Sequence, residues 1–303
     1  MSFARRRAAP GGGAPVVVAW GELLWDLYAD GARLGGCAAN VAYHVAMLGD
    51  RALLVSRVGD DSLGRSALEA LGRGGVDVSL VQVDRDAPTG SVNVELHDGE
   101  PRFRIASEAA WDRICASEAV CAAVATADVV CYGTLAQRTP LGSAALAGAL
   151  ERVPPTAIRL CDLNVRPPFA TLAILEAALS TADVVKLNVA EARLVADAYG
   201  VDDPVPWLLE ERGIRLVALT RGAQGSVLAT RDATIAQAAH AVLTAEGDAI
   251  GAGDAFTAAL AHHLAKHSPL DRAGDAASRY AAFVASQRGA MPRMPDELIS
   301  ASC

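Results

Sequence analysis

From Ala127 onward one rhythm repeats along the chain: a short apolar run, an Ala- and Leu-rich stretch of helical character, then another apolar run. The apolar runs fall at residues 129–132, 158–161, 184–187 and 216–219. Strands this short, each followed by a helix, imply parallel pairing, because a parallel neighbour is reached only through a crossover connection. The expectation is an α/β fold of three α/β/α layers around a central, mostly parallel sheet. The N-terminal part opens in the same way. Residues 16–20 read as a first buried strand, and Gly35-Gly36 open a helix through Leu48 with Val41, Val45 and Leu48 at helical spacing. A second strand at 53–56 and a helix at 62–74 follow.

Residues 89–105 break the rhythm. Val92, Val94 and Leu96 alternate with Asn93, Glu95 and His97, Asp98-Gly99 supplies a hairpin turn, and the chain returns through Ile105. A hairpin among strand–helix units stands outside the main sheet as a small β lid, so residues 88–107 and the turn-rich 27–34 are assigned to it. No linker or repeat divides the rest. One domain over 15–300 is expected, preceded by a tail at 1–14.

Composition removes several classes of function. A net charge of −8, from 27 basic and 35 acidic residues, provides no basic face for a nucleic acid. Six cysteines are scattered without a C-x-x-C pair, which suits reduced thiols in a cytoplasmic protein better than zinc or disulfides. No apolar run reaches the ~20 residues that span a bilayer.

Ligands of such sheets bind at the carboxyl ends of the strands. Candidate loops do follow the strands, at 21–26, 162–166, 188–191 and 220–225. The strongest segment is Gly251-Ala-Gly-Asp254. Small residues let a backbone approach a ligand closely, and the helix that follows aims free N–H groups at an anion. Asp254 in the first turn adds one carboxylate. Asp commonly caps a helix, but a cap does not need Gly-Ala-Gly before it. An anion cradle with a carboxylate beside it suits phosphoryl transfer to a hydroxyl: the amides stabilise the transferring group and the carboxylate takes the alcohol's proton. There is no G-x-x-x-x-G-K-[ST] for a P-loop and no G-x-G-x-x-G after the first strand for a dinucleotide.

The ordered set of motifs resembles the ribokinase-like, or PfkB, carbohydrate kinases, and most of all bacterial fructokinases. Gly35-Gly-Cys-Ala-Ala-Asn-Val-Ala42 with Gly49 and Gly59 is similar to the family's first signature, and Asp248 through Leu260 to its second. Asn188-x-x-Glu191 and Thr220-x-Gly-x-x-Gly225 lie between them in family order. The resemblance spans residues 16–295. It implies an ATP-dependent sugar kinase, with fructose as the first substrate and 2-keto-3-deoxygluconate, ribose or a nucleoside as alternatives. A catalytically weak sugar- or nucleotide-binding regulator is the alternative of a different class.

By the same resemblance, Asp254 is the general base and Gly251, Ala252 and Gly253 form the anion hole. Asp26, Gly36 and Asn40 bind the sugar, joined by Asn164 and Arg166 and, from the lid, Arg104. Asn188 and Glu191 organise water around Mg2+ and the phosphates, while Thr220, Gly222 and Gly225 run beside ATP. Apart from the resemblance, the lid's alternating pattern needs an apolar partner, which closure or a second subunit's lid could supply, so a lid-mediated homodimer is also expected. Asp248 stands where the family's potassium loop begins, but Ala249 in place of the usual Thr and the bulky Arg293 count against potassium there. Cys37 replaces a small Ala or Pro beside the sugar-binding glycines, and Ser278 stands where relatives often carry Asn near the adenine. His262, His263 and His267 read as a solvated helix side rather than a metal cluster. Trp111 is left between a core position and a wall of the sugar pocket.

Overall fold

Every apolar run expected to be a strand is one. The computed structural model describes residues 13–298 apart from 29, 98–99, 243–246 and 296, so most of the expected tail and the Asp98-Gly99 turn lie outside the described residues. The chain starts with β1 (Val16–Trp20), β2 (Leu24–Tyr28), β3 (Gly31–Gly35) and helix α1 (Cys37–Met47). Next come β4 (Arg51–Val55), β5 (Arg57–Gly59), α2 (Ser62–Arg73), β6 (Gln82–Asp84), β7 (Gly90–His97) and β8 (Glu100–Ile105). The repeating part runs α3 (Glu118–Val124), β9 (Val129–Gly133), α4 (Pro140–Leu150), β10 (Ile158–Asp162), α5 (Leu172–Ser180) and β11 (Val184–Asn188). It continues with α6 (Val189–Tyr199), α7 (Pro204–Glu210) and β12 (Leu216–Thr220). Strands β13 (Ser226–Ala229) and β14 (Thr234–Gln237) and helices α8 (Ala252–Ala265) and α9 (Leu270–Ala285) follow.

Eight strands form the main sheet in the order β14-β13-β12-β11-β10-β9-β1-β4. The strands from β4 to β12 pair in parallel, and β12, β13 and β14 pair antiparallel. Alternate side chains enter two separate cores. In β1, Val17 and Ala19 join one cluster, with Val41, Val45, Leu71, Phe256, Leu260 and Tyr280. Val18 and Trp20 join the other, with Val120, Leu146, Leu175, Val195 and Leu208. Helices α1, α2, α8 and α9 therefore cover one face and α3 to α7 the other. Burial on both faces is why these strands read as unbroken apolar runs.

The lid is a four-stranded sheet, β3-β2-β7-β8. The turn-rich 27–34 segment is thus most of a hairpin that begins at Leu24. Its reversal uses Gly31 at φ 139°, and its strands are half exposed, which leaves only a weak apolar alternation in the sequence.

Two side-chain expectations resolve here. Trp111 belongs to the core: it is 1% exposed, and the Arg138 guanidinium lies 4.0 Å over its ring. The solvated-histidine reading is wrong for two of the three residues. His262 and His263 are buried on α8, with His262 Nδ1 2.7 Å from Asp50 and His263 Nδ1 3.0 Å from Ser268. Helix α8 is enclosed by α1 and α9, so it has no continuous polar side, and Asp50 is remote in sequence. His267, past the end of the helix, is exposed.

Candidate active site

Helix α8 starts from Gly251, whose φ of 77° lies in the left-handed region that glycine enters at little cost. A Cβ there would lie 2.6 Å from Ala290 Cα, so the turn is also sterically closed to larger residues. Amides of a first helical turn lack helical acceptors and can face an anion. Of the three expected cradle amides, that of Ala252 already donates to Ala249 O at 3.3 Å.

Asp254 occupies this first turn and meets α1 across the site. Asn40 Nδ2 donates to Asp254 Oδ2 at 2.7 Å, a contact between residues 214 apart in sequence. Burial, and then the nearby Asp162 carboxylate, push the Asp254 carboxyl upward, while Asn40, Lys186 and the Cys37 thiol pull it back. A carboxyl raised in this way is a stronger base than an ordinary aspartate once ionised.

Helix α1 is placed by Glu22. Gly36 lies so close to this residue that a Cβ would sit 2.3 Å from Glu22 O, and the buried Glu22 carboxylate accepts the Cys37 amide at 3.2 Å. The Cys37, Asp162 and Asp254 ligand atoms all lie within 4.8 Å of one another. Asp162 ends β10 and holds Lys186 Nζ at 3.0 Å through both oxygens, and Thr257 Oγ1 donates to it at 2.6 Å. Desolvation alone would lower the Lys186 pKa, but Asp162, Glu191 and Asp254 together raise it, so the ammonium stays charged inside the fold.

On the far side of Gly253 opens a cleft of about 450 Å³, lined by Lys186, Asn188, Thr220, Gly222, Gly225, Phe256 and Ser278 among others. Its apolar wall comes from Phe256 and the alanines of α9, and its polar rim from the ends of β11 and β12. Gly225, at φ 83°, passes against the Gln237 carbonyl, where no side chain fits. Ser278 bonds Ser226 at 2.9 Å. Glu191 lies behind this rim: its carboxylate accepts the amides of Asn188 at 2.8 Å and Val165 at 2.9 Å, while Asn188 caps α6 in return.

The residues expected on the sugar side are arranged more loosely. Asp26 on β2 has its carboxyl pushed up to about 6, by burial first, with Arg166 opposing and Asp254 adding to the rise. Arg166 is exposed, donates to Val165 O at 3.1 Å, and follows Asn164, which sits at φ 39°. Arg104 does not join this group. Asp26 pairs with Val92 and Val92 with Ile105, whereas Arg104 pairs with Asn93. Side chains in register share a face and alternate along a strand, so Arg104 projects from the lid face opposite Asp26. The turn at Asp248 is stitched to the segment after α9, with Gly289 N donating to Asp248 Oδ2 at 2.9 Å and Ile250 N to Oδ1 at 3.1 Å.

The pattern of pfkB family carbohydrate kinases matches residues 30–297 of the chain. The protein belongs to that family. It is therefore a carbohydrate kinase, a phosphotransferase acting on a sugar hydroxyl. It is 31% identical over 302 residues to the fructokinase of Escherichia coli, covering 91% of this chain and 94% of that one. It is 30% identical over 315 residues to fructokinase-1 of Oryza sativa, with 95% and 97% covered. A sugar kinase of Pyrococcus horikoshii superposes with a TM-score of 0.82 at 27% identity, covering 94% of this chain and 97% of that chain. The fructokinase of Xylella fastidiosa with bound ATP superposes at 0.85 and 24% identity, with the same coverage, which speaks to the fold.

Three buried ionic residues of this kinase escaped the sequence reading. Lys186 was passed over inside an apolar run, although a lysine among Val184, Val185 and Leu187 is itself a signal that a partner is buried nearby. Asp162 and Glu22 lay in loops already singled out, but nothing in the sequence separates them from the polar residues beside them. Among the described residues, no helix is long and apolar enough to cross a membrane.

Proposed function

We propose that this kinase transfers the γ-phosphoryl group of ATP to a hydroxyl of D-fructose, with Asp254 as general base. The observation that carries the reading is the Asn40–Asp254 hydrogen bond beside the Gly251–Gly253 turn, because it joins the expected sugar side to the expected base at one point. In this reading Asp254 takes the hydroxyl proton as the oxygen attacks phosphorus. The amides of Gly251 and Gly253 face the phosphoryl oxygens, and Lys186 adds positive charge next to Gly253. The cleft beside Asn188, Thr220, Gly222 and Gly225 is large enough for an adenine nucleotide.

The Mg2+ expectation fits the donor chemistry. Glu191 offers hard oxygen, and each of its oxygens accepts a single amide, which leaves a lone pair for a metal-bound water. The ion, when bound, would neutralise phosphate charge. Ala249 offers no hydroxyl beside Asp248, so the proposal includes no potassium requirement. A KCl titration at constant ionic strength checks that.

Fructose is favoured over an acidic sugar by the direction of Arg104. A carboxylate clamp would need Arg104 with Arg166, but the lid register turns Arg104 to the face opposite Asp26, whose carboxyl Arg166 influences. A polar group left without its partner costs ~1–3 kcal/mol, so Asp26 and Asn40 suit a neutral polyol. The relatives named fructokinase point the same way. The homodimer is part of this proposal, since a second subunit's lid could cover the half-exposed strands of this one; sedimentation velocity tests it. Substrate-dependent ADP release from ATP and magnesium, across fructose, ribose and 2-keto-3-deoxygluconate, tests the substrate. A preference for the acid overturns the choice of fructose.

A further inference from the structure

One buried polar group on α1 has no part in the mechanism above. His44 is 0% exposed beside the buried Val41, Ala42 and Val45, and burying such a ring is costly unless its nitrogens find partners. Both do. Nε2 lies 2.9 Å from Ala290 O, and Nδ1 lies 3.3 Å from the hydroxyl of Tyr280, a buried residue of α9. A carbonyl only accepts, so Nε2 carries the hydrogen and Nδ1 receives the Tyr280 O–H. One neutral tautomer is thereby selected. Burial supports it by lowering the His44 pKa to about 4.

The carbonyl that His44 holds is the wall against which the anion turn is built. A Cβ on Gly251 would come within 2.6 Å of Ala290 Cα and 2.9 Å of Ala290 O, so Gly251 rests directly on that peptide. The same segment is joined to the turn again by Gly289 N on Asp248 and by Asp248 N on Gln287 O at 3.2 Å. Four residues before His44, and so on the same side of α1, Asn40 holds the Asp254 carboxylate. One helix thus touches both halves of the transfer site, the base through Asn40 and the floor of the turn through His44.

We infer that His44 is a positioning residue for phosphoryl transfer: through the Ala290 carbonyl it fixes the Gly251–Gly253 turn relative to Asp254. The inference rests on the reading of that turn as the anion cradle. Displacing reacting groups by an ångström costs ~10²-fold in rate, so loss of the Nε2 donor acts on kcat more than on binding.

The test compares three variants of the full chain by steady-state kinetics and thermal unfolding. His44→Leu keeps the volume and removes the donor; kcat is expected to fall ~10–100-fold, with the sugar KM within about twofold of wild type. His44→Gln returns an amide N–H close to the Nε2 position, and kcat within threefold of wild type is expected. Val45→Ala, a cavity in the same helix, lowers Tm and leaves kcat in place. A wild-type kcat in His44→Leu overturns the inference, as does equal loss in the Leu and Gln variants, or a kcat loss in Val45→Ala matching that of His44→Leu. Should the Leu variant not fold, the Gln variant decides alone: kcat within threefold supports the inference, and a tenfold loss or more overturns it. An Asp254→Asn variant run alongside separates the two levels. If that variant retains turnover, the cradle reading itself has failed.

Discussion

The two sides of the proposed transfer site are built differently. Around Asp254, nearly every polar group is buried and bonded to something distant in sequence: Asn40 to Asp254, Lys186 and Thr257 to Asp162, Glu22 to the Cys37 amide. Around Asp26, the sheet is half exposed, Arg166 bonds mainly to its own neighbour, and Arg104 faces away. The contrast separates two tasks. The chemical step needs groups held to a fraction of an ångström, which only a packed core over-determines. Sugar choice needs a surface that can open, admit a ligand and close, which favours few buried contacts.

If the contrast holds, damage at the buried side is large and damage at the lid is small. Asp254→Asn should lower kcat by ~10²–10⁴-fold with little change in Tm or sugar KM, measured by ADP release. Near-wild-type turnover would break the comparison at its centre. Lys186→Met leaves the Asp162 charge buried without its partner and should cost about 3–5 kcal/mol in urea unfolding. Adding Asp162→Asn should recover part of that loss, because the uncompensated charge is gone. No recovery would mean that the pair is not coupled as the geometry shows.

Asp26 gives an intermediate effect with a definite sign. Its carboxyl is raised to about 6, and in the proposed reading the ionised form accepts a sugar hydroxyl, so kcat/KM at low sugar should fall as pH drops through about 6. Asp26→Asn should remove that limb of the profile. Stability runs the other way. The folded state binds this proton more tightly than the unfolded chain, so the contribution to folding is full below the unfolded value of ~4 and is lost as pH rises toward 6. The Asn variant should therefore have the higher Tm above pH 6, and an unchanged Tm there would mean the carboxylate is better solvated than its position implies. The smallest effect is expected at the lid's outer face. Arg104→Ala should change kcat/KM for neutral sugars by less than about twofold, since the side chain projects away from Asp26. A large loss would move Arg104 into a sugar site, its own or one completed by a second subunit.

How much was legible beforehand follows the same division. Strands β1, β4, β9, β10, β11 and β12 were readable because burial on both faces makes each a continuous apolar run. Helix α8 and its Gly-Ala-Gly-Asp start were readable because backbone closeness demands small residues in sequence, and that demand is local. The β2–β3 hairpin was only partly readable, since half-exposed strands satisfy either solvent or core. His262 and His263 were misread because α8 is surrounded on all sides, and Asp50 and Ser268, not an apolar stripe, meet their Nδ1 atoms.

The sequence by itself determined the alternation of strand and helix, the crossover topology that follows from it, and the Gly251–Asp254 turn, since each depends on neighbours along the chain. Only the tertiary structure decided which charges meet. The Asp162–Lys186 pair spans 24 residues, and the Asn40–Asp254 bond 214. It likewise decided that His44 meets the carbonyl of Ala290, against which Gly251 lies, and that Arg104 lies across the lid from Asp26. Those facts rest on strand order, register and helix packing. They are set by the burial of the whole chain at once, so no local stretch of residues contains them.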